Sequence, residues 1–135
     1  MNAKHKVLVV DDEEIVRRGY MRTLDRRHCD VAEAGTGTHA LDALERDAYD
    51  VVLLDLRMPG MDGMTVLKTI KRRWPEREVV VITGYPSLET AREALQLGAC
   101  DYLAKPVAPA DVERATRGAL EHKRWALRPA LAAEH

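Results

Sequence analysis

Four acids in a row, Asp11-Asp12-Glu13-Glu14, follow a short apolar run, and a further acid, Asp55, follows another. Thr83 and the pair Lys105-Pro106 close two more such runs. Carboxylates at the head of a helix can serve its cap and its dipole. That account does not reach Asp55, which is followed by Arg57-Met58-Pro59-Gly60, the composition of a loop and not of a helix start. Carboxylates that converge in one crevice repel and raise one another's pKa unless a cation joins them. Mg²⁺ suits such a group, because it takes oxygen ligands, uses one or two carboxylates directly and leaves positions open for water and phosphate. Ca²⁺ suits it less well, since no spaced acidic loop is present. A lysine can then act as a point charge for a carboxylate or phosphoryl oxygen, and a threonine hydroxyl can donate to another. These are parts for phosphoryl transfer, with Asp55 as the candidate nucleophile and Asp11, Asp12, Thr83 and Lys105 around it.

Such residues act together only if the fold gathers them. Val7–Val10, Val51–Leu54, Val79–Ile82 and Tyr102–Ala104 are continuous apolar runs, which read as strands buried on both faces. Asp30–Ala34 alternates polar and apolar residues and reads as an edge strand. Helical spacing fills the intervals, with Ile15, Val16, Tyr20 and Leu24 first, then Ala40, Leu41, Leu44 and Ala48, then Val66, Leu67, Ile70 and Trp74. A fourth helix places Leu88, Ala91, Leu95 and Ala94 on one face, with Ser87 as N-cap and Gly98 at a left-handed C′ position. Val112, Ala115 and Ala119 carry a fifth, with Pro109 near its start. Strand followed by helix, five times over, predicts an α/β fold with a doubly wound parallel sheet. Ligands of such sheets bind outside the carboxyl ends of the strands, which is where the acids, Thr83 and Lys105 fall.

Composition narrows the function classes. A chain of 135 residues holds one domain, and 46% apolar with 32% charged residues is a globular composition with an aliphatic core that lacks Phe. A net charge of −1 excludes the strong basic excess of a nucleic-acid binder. Lys71-Arg72-Arg73 reads as a solvated helix face without interleaved aromatic residues. Cys29 and Cys100 have no metal-ligand spacing and read as reduced, half-buried thiols suited to a cytoplasmic protein. The histidines His5, His28, His39, His122 and His135 show no such spacing either and read as surface residues. No stretch fits a signal peptide or a membrane span. His122–Pro129 reads as the start of a linker helix stopped by Pro129, or as the natural end of a single-domain chain.

Asp11-Asp12, Asp55 within the segment Leu54–Gly63, Thr83-Gly84, Tyr102 and Lys105-Pro106 together resemble the receiver domain of two-component response regulators. The resemblance runs from about Lys6 to about Lys123, giving a receiver domain over residues 1–123 and a short tail or linker over 124–135. It implies a (βα)5 flavodoxin-like sheet with strand order 2-1-3-4-5. Asp55 would accept a phosphoryl group from a phosphohistidine on a sensor histidine kinase. Asp12 would bind Mg²⁺ directly and Asp11 largely through water, with Asp55 and the backbone carbonyl of Arg57 as further ligands. Lys105 would contact the phosphoryl group, Thr83 would swing to hydrogen-bond it, and Tyr102 would turn inward behind Thr83. The Lys105-Pro106 bond would be cis, and Arg57 and Tyr85 would tune how water reaches the phosphoryl group. Val107 stands where the family often has Phe.

The same resemblance implies that phosphorylation changes the face formed by the fourth helix, fifth strand and fifth helix. That face would meet an output domain, a partner or a second copy in a phosphorylation-dependent homodimer. Such a chain contacts neither nucleic acid nor membrane itself, and catalyses only its own phosphorylation and autodephosphorylation. Ile82–Ala91 is similar to receivers found in front of sigma-54-dependent transcription activators. An alternative is a Mg²⁺-dependent phosphatase with an aspartate nucleophile, of the haloacid dehalogenase type, but that chemistry wants a second acid where Arg57 stands. A nucleotide-binding protein fits less well, because the glycine-rich loop after the first strand is missing and Asp11-Asp12 would repel a pyrophosphate.

Overall fold

The apolar runs do become strands, and the periodic segments between them become helices. In the computed structural model, which describes residues 5–25 and 29–133 with side chains as far as Lys123, the order is β1 (Lys6–Val10), α1 (Glu14–Asp25), β2 (Asp30–Ala34), α2 (Gly37–Arg46), β3 (Val51–Leu54), α3 (Gly63–Arg73), β4 (Glu78–Thr83), α4 (Leu88–Gln96), β5 (Asp101–Ala104) and α5 (Pro109–Ala133). All neighbouring strands pair in parallel, in the order β2-β1-β3-β4-β5. This is the doubly wound sheet that the sequence predicts. The alternating pleat divides the core in two. Leu8, Val10, Val52, Leu54, Val79 and Val81 pack with residues of α2, α3 and α4 on one face, while Val7, Val9, Val51, Leu53, Val80 and Ile82 pack with α1 and α5 on the other. β3 and β4 are buried throughout, whereas the edge strand β2 is only partly covered, which is why its sequence alternates.

Local signals hold at the helix ends. The Ser87 hydroxyl accepts from the Thr90 amide at 3.1 Å and caps α4, and Gly98 takes a φ of +107° just beyond it. Gly63 opens α3 directly against the backbone of Leu56. A Cβ there would lie 2.4 Å from the Leu56 Cα, so glycine is what allows the loop after β3 to fold down tightly.

Several expectations need correction. Ile15 is 81% exposed, and Leu88 and Leu95 are 70% and 51% exposed, although their spacing placed them on buried faces. α4 buries Ala94, which lies about 120° around the helix from Leu88 at ~100° per residue, so the two leucines share a different, outward side. Ala48 lies beyond the end of α2 and is exposed. Lys71 does not belong to a solvated face: its ammonium donates to the carbonyls of Pro75 (2.8 Å) and Arg77 (2.9 Å). Its neighbours do have an aromatic partner, since the guanidinium groups of Arg73 and Arg77 lie 4.5 and 4.7 Å from the Trp74 ring centre. The helix does not stop at Pro129; α5 continues to Ala133 across the 123/124 boundary, since a proline removes one amide donor and need not end a helix. His28 and His135 lie outside the described residues, as do the side chains of the 124–135 tail.

Candidate functional site

Parallel pairing carries the site residues to one rim by backbone bonding alone. Val10 is in register with Leu54, so the residues that follow them are neighbours. The ladder continues past the strand ends, with the Asp55 amide donating to the Val10 carbonyl (2.9 Å), the Asp11 amide to the Ala34 carbonyl (3.2 Å) and the Lys105 amide to the Thr83 carbonyl (2.8 Å). The Lys105-Pro106 peptide bond is cis.

Asp11 and Asp55 are 1% and 4% exposed, unusual burial for carboxylates, while Asp12 is exposed beside them. One oxygen of each of the three lies within 4.8 Å of the others. The Lys105 ammonium bridges the two buried acids, 2.7 Å from Asp11 Oδ2 and 3.3 Å from Asp55 Oδ2, with Glu13 Oε1 at 4.0 Å. The remaining oxygens accept amide protons, Asp11 Oδ1 from Glu13 (2.9 Å) and Asp55 Oδ1 from Arg57 (3.1 Å). Burial pushes the Asp55 carboxyl above the ordinary range, against the pull of the Arg57 amide and Lys105, and the Asp11 charge adds to the rise. Burial alone would lower the Lys105 pKa, but its hydrogen bond to Asp11 and the charges of Asp11 and Asp55 raise it. Three carboxylates served by one ammonium are short of positive charge. An all-oxygen donor set of this kind fits a hard divalent cation such as Mg²⁺ and does not fit a soft metal.

Thr83, 1% exposed, stands at the end of the next strand. Its hydroxyl accepts from the Tyr85 amide at 3.1 Å, which leaves its proton free to donate elsewhere. Arg57 and Tyr85 meet above this rim, with the guanidinium 4.2 Å from the ring centre. Tyr102 is tied to the first turn of α4, its hydroxyl 2.6 Å from Thr90 Oγ1 and accepting from the Ser87 amide at 3.2 Å. Beside Lys105, a groove of about 530 Å³ between α1 and the start of α5 is lined by Ile15, Val16, Tyr20, Pro106, Val107 and Val112, among others.

Asp11, Asp12, Asp55 and Lys105 thus converge, and Thr83 stands on the adjoining strand end. Sequence reasoning missed Thr90 as a partner of Tyr102, and missed Arg17, whose guanidinium donates to the Asp11 carbonyl at 2.7 Å. Neither has a sequence signal, because each contact joins different elements through a single side chain. His122, read as a surface residue, is exposed, and its contact with the buried carboxylate of Glu78 at 2.6 Å is what that reading lacked.

Residues 7–117 match the response regulator receiver domain family. The chain is 39% identical over 105 residues to the response regulator protein PilR of Pseudomonas aeruginosa, an alignment covering 78% of this chain and 24% of that one. It is 42% identical over 113 residues to the DNA-binding transcriptional regulator NtrC of Escherichia coli K12, covering 81% and 24%. It therefore spans about a quarter of the length of these curated relatives. Among solved structures, a CheY-like response regulator receiver domain protein from Methanospirillum hungatei superposes with a TM-score of 0.88 at 27% identity, covering 92% of this chain and 99% of that one. Among the described residues, no helix is long and apolar enough to cross a membrane.

Proposed function

Because this chain belongs to the response regulator receiver domain family, whose members are signalling domains and not enzymes acting on separate substrates, we propose that Asp55 is its phosphoacceptor and that the donor is a phosphohistidine on a sensor histidine kinase. The phosphorus–nitrogen bond of the donor breaks as a phosphorus–oxygen bond forms to an Asp55 carboxylate oxygen, leaving the kinase imidazole free. One observation carries this reading: the Lys105 ammonium reaches both Asp11 and Asp55, two buried acids from different strands, in a crevice still short of positive charge. Asp11, Asp12, Asp55 and the Arg57 carbonyl would hold Mg²⁺, which supplies charge neutralisation for the phosphoryl oxygens. Lys105 contacts those oxygens as a second point charge, and the Thr83 hydroxyl gives them a donor that it has no comparable use for beforehand.

That difference between states is what makes a switch, since a ligand shifts an equilibrium only by interacting differently with its two ends. As Thr83 moves to the phosphoryl group, Tyr102 turns inward behind it and gives up its contacts with Thr90 and Ser87, freeing the first turn of α4. The face of α4, β5 and α5, with Leu88 and Leu95 exposed on α4, then meets an output domain, a partner or a second copy. The groove beside Lys105, with Ile15 at its edge, is where a kinase bringing its phosphohistidine to Asp55 would rest. Arg57 over Tyr85 limits water at the phosphoryl group. The receiver occupies residues 1–123, and 124–135 serves as a tail or a linker. The resemblance to transcriptional regulators supports an output in transcription, in front of a sigma-54-dependent activator, and a cytoplasmic setting.

The test is labelling from acetyl phosphate. The protein should take up label only with Mg²⁺, and Asp55→Asn should take up none; label retained in the variant refutes the assignment. A phosphatase of the rival type would instead turn over acetyl phosphate continuously without holding label.

A further inference from the structure

Arg17 sits in the first turns of α1, its amide bonded to the Glu13 carbonyl at 3.1 Å. Its side chain is only 15% exposed, low for an arginine. Nε donates to Glu33 Oε1 of β2 at 2.7 Å and Nη1 to the Asp11 carbonyl at 2.7 Å. The guanidinium lies against Gly35, where a Cβ would come 3.3 Å from Nη1. Asp11 is thereby held through every polar group it has: its amide by Ala34, its carbonyl by Arg17, one carboxylate oxygen by Glu13 and the other by Lys105.

An ion pair partly open to solvent, as Arg17 with Glu33 is on the glutamate side, adds little stability on its own. The second bond gives this pair another consequence. The Asp11 carbonyl and the Asp12 amide belong to one rigid peptide plane, so fixing that oxygen fixes where the Asp12 residue begins. We propose that Arg17, oriented by Glu33, is a positioning residue that sets the Asp11-Asp12 peptide so that both carboxylates face the cation site. This rests on the Mg²⁺ reading of that site. Glu33 keeps the guanidinium from swinging to solvent, and Gly35 leaves room for it. Arg17 touches neither Asp55 nor the phosphoryl position, so it acts through the acidic pair alone.

Calorimetric titration with Mg²⁺ tests this on the whole chain, with urea unfolding of each variant alongside. Arg17→Met keeps the apolar stem and removes both donors; Mg²⁺ affinity should fall about tenfold, the low end of what loss of an outer partner costs a metal site. Arg17→Lys should recover part of this, because one ammonium cannot reproduce the fork that reaches two acceptors. Glu33→Gln should give a smaller loss in the same direction. In acetyl phosphate labelling, the Mg²⁺ concentration for half-maximal rate should rise in Arg17→Met more than the saturated rate falls. If the parent chain binds no Mg²⁺, the metal reading fails and the clamp with it. If the parent binds and all three variants bind equally well, the clamp alone is overturned. Should Arg17→Met not fold, unchanged affinity in Glu33→Gln overturns the clamp by itself.

Discussion

At the amino ends of the strands, carboxylates have lysines of their own: Asp47 meets Lys6 at 2.8 Å, Asp50 meets Lys123 at 2.8 Å, and the buried Glu78 meets Lys71 at 3.7 Å, with the His122 imidazole 2.6 Å away as a hydrogen-bond partner. At the carboxyl ends, Asp11, Asp12 and Asp55 crowd within 4.8 Å, and among the described residues Lys105 alone bridges the two buried ones. Both rims are equally built from residues at strand termini, so topology alone does not distinguish them. Charge does. At the amino rim Asp47, Asp50 and Glu78 are matched by lysines of the same chain and help hold the fold together, while the carboxyl rim carries a negative excess that a bound cation would relieve. A deficit of this kind costs stability and persists where it serves binding.

The largest effect expected from this contrast is that of Lys105→Met. It strips the bridging cation from two buried acids and should cost about 3 kcal/mol in urea unfolding without divalent cations. Mg²⁺ should restore more stability to this variant than to the parent. Lys123→Met, at the amino rim, should cost less than about 1 kcal/mol, because its partner Asp50 is partly solvated and keeps a backbone donor from Lys6. Equal losses in the two variants would break the comparison.

A change of sign sharpens it. Asp55→Asn removes one of two facing buried charges, while the amide oxygen can still accept from Arg57 and Lys105 keeps its shorter bond to Asp11. The variant should be more stable than the parent by about 1 kcal/mol without divalent cations. Thermal unfolding at low ionic strength reads this directly, and a destabilised variant would mean that the rim is not in deficit.

The carboxyl rim was the more legible of the two in the sequence. Its residues sit immediately after apolar runs, so strand recognition and side-chain chemistry together find Asp11, Asp12, Asp55, Thr83 and Lys105. The amino rim was not legible, because Glu78 with His122, and Asp50 with Lys123, join positions 44 and 73 residues apart, which no local pattern links. Ile15, Leu88 and Leu95 show the other limit. Periodicity locates an apolar side of a helix, but whether anything in the chain covers that side depends on the packing angle of the whole element. Arg77 escaped for a related reason: it is 8% exposed because its guanidinium reaches the Leu44 carbonyl at 2.7 Å, a contact made only once α2 and α3 lie together.

The smallest expected effect concerns how the amino rim responds to acid. Burial would raise the Asp50 pKa, but the bond from Lys123, the Lys6 amide and the nearby His5 together hold it below the ordinary carboxylate value. A carboxylate whose folded pKa is depressed binds protons more readily in the unfolded chain. Its contribution is therefore present in full above the unfolded value, near ~3.9, and is lost as pH falls through the lower folded value. Asp50→Asn should destabilise the protein by about 0.5 kcal/mol at neutral pH, the scale of a partly exposed pair. The gap between variant and parent should close below about pH 4. Asp55→Asn starts from the opposite side, more stable than the parent at neutral pH, and its gap should close from above as acid protonates Asp55, whose carboxyl burial holds above the ordinary range. Two amide substitutions of the same chemistry, converging on the parent from opposite directions, would locate the charge deficit at one end of the sheet; convergence from the same side would remove it.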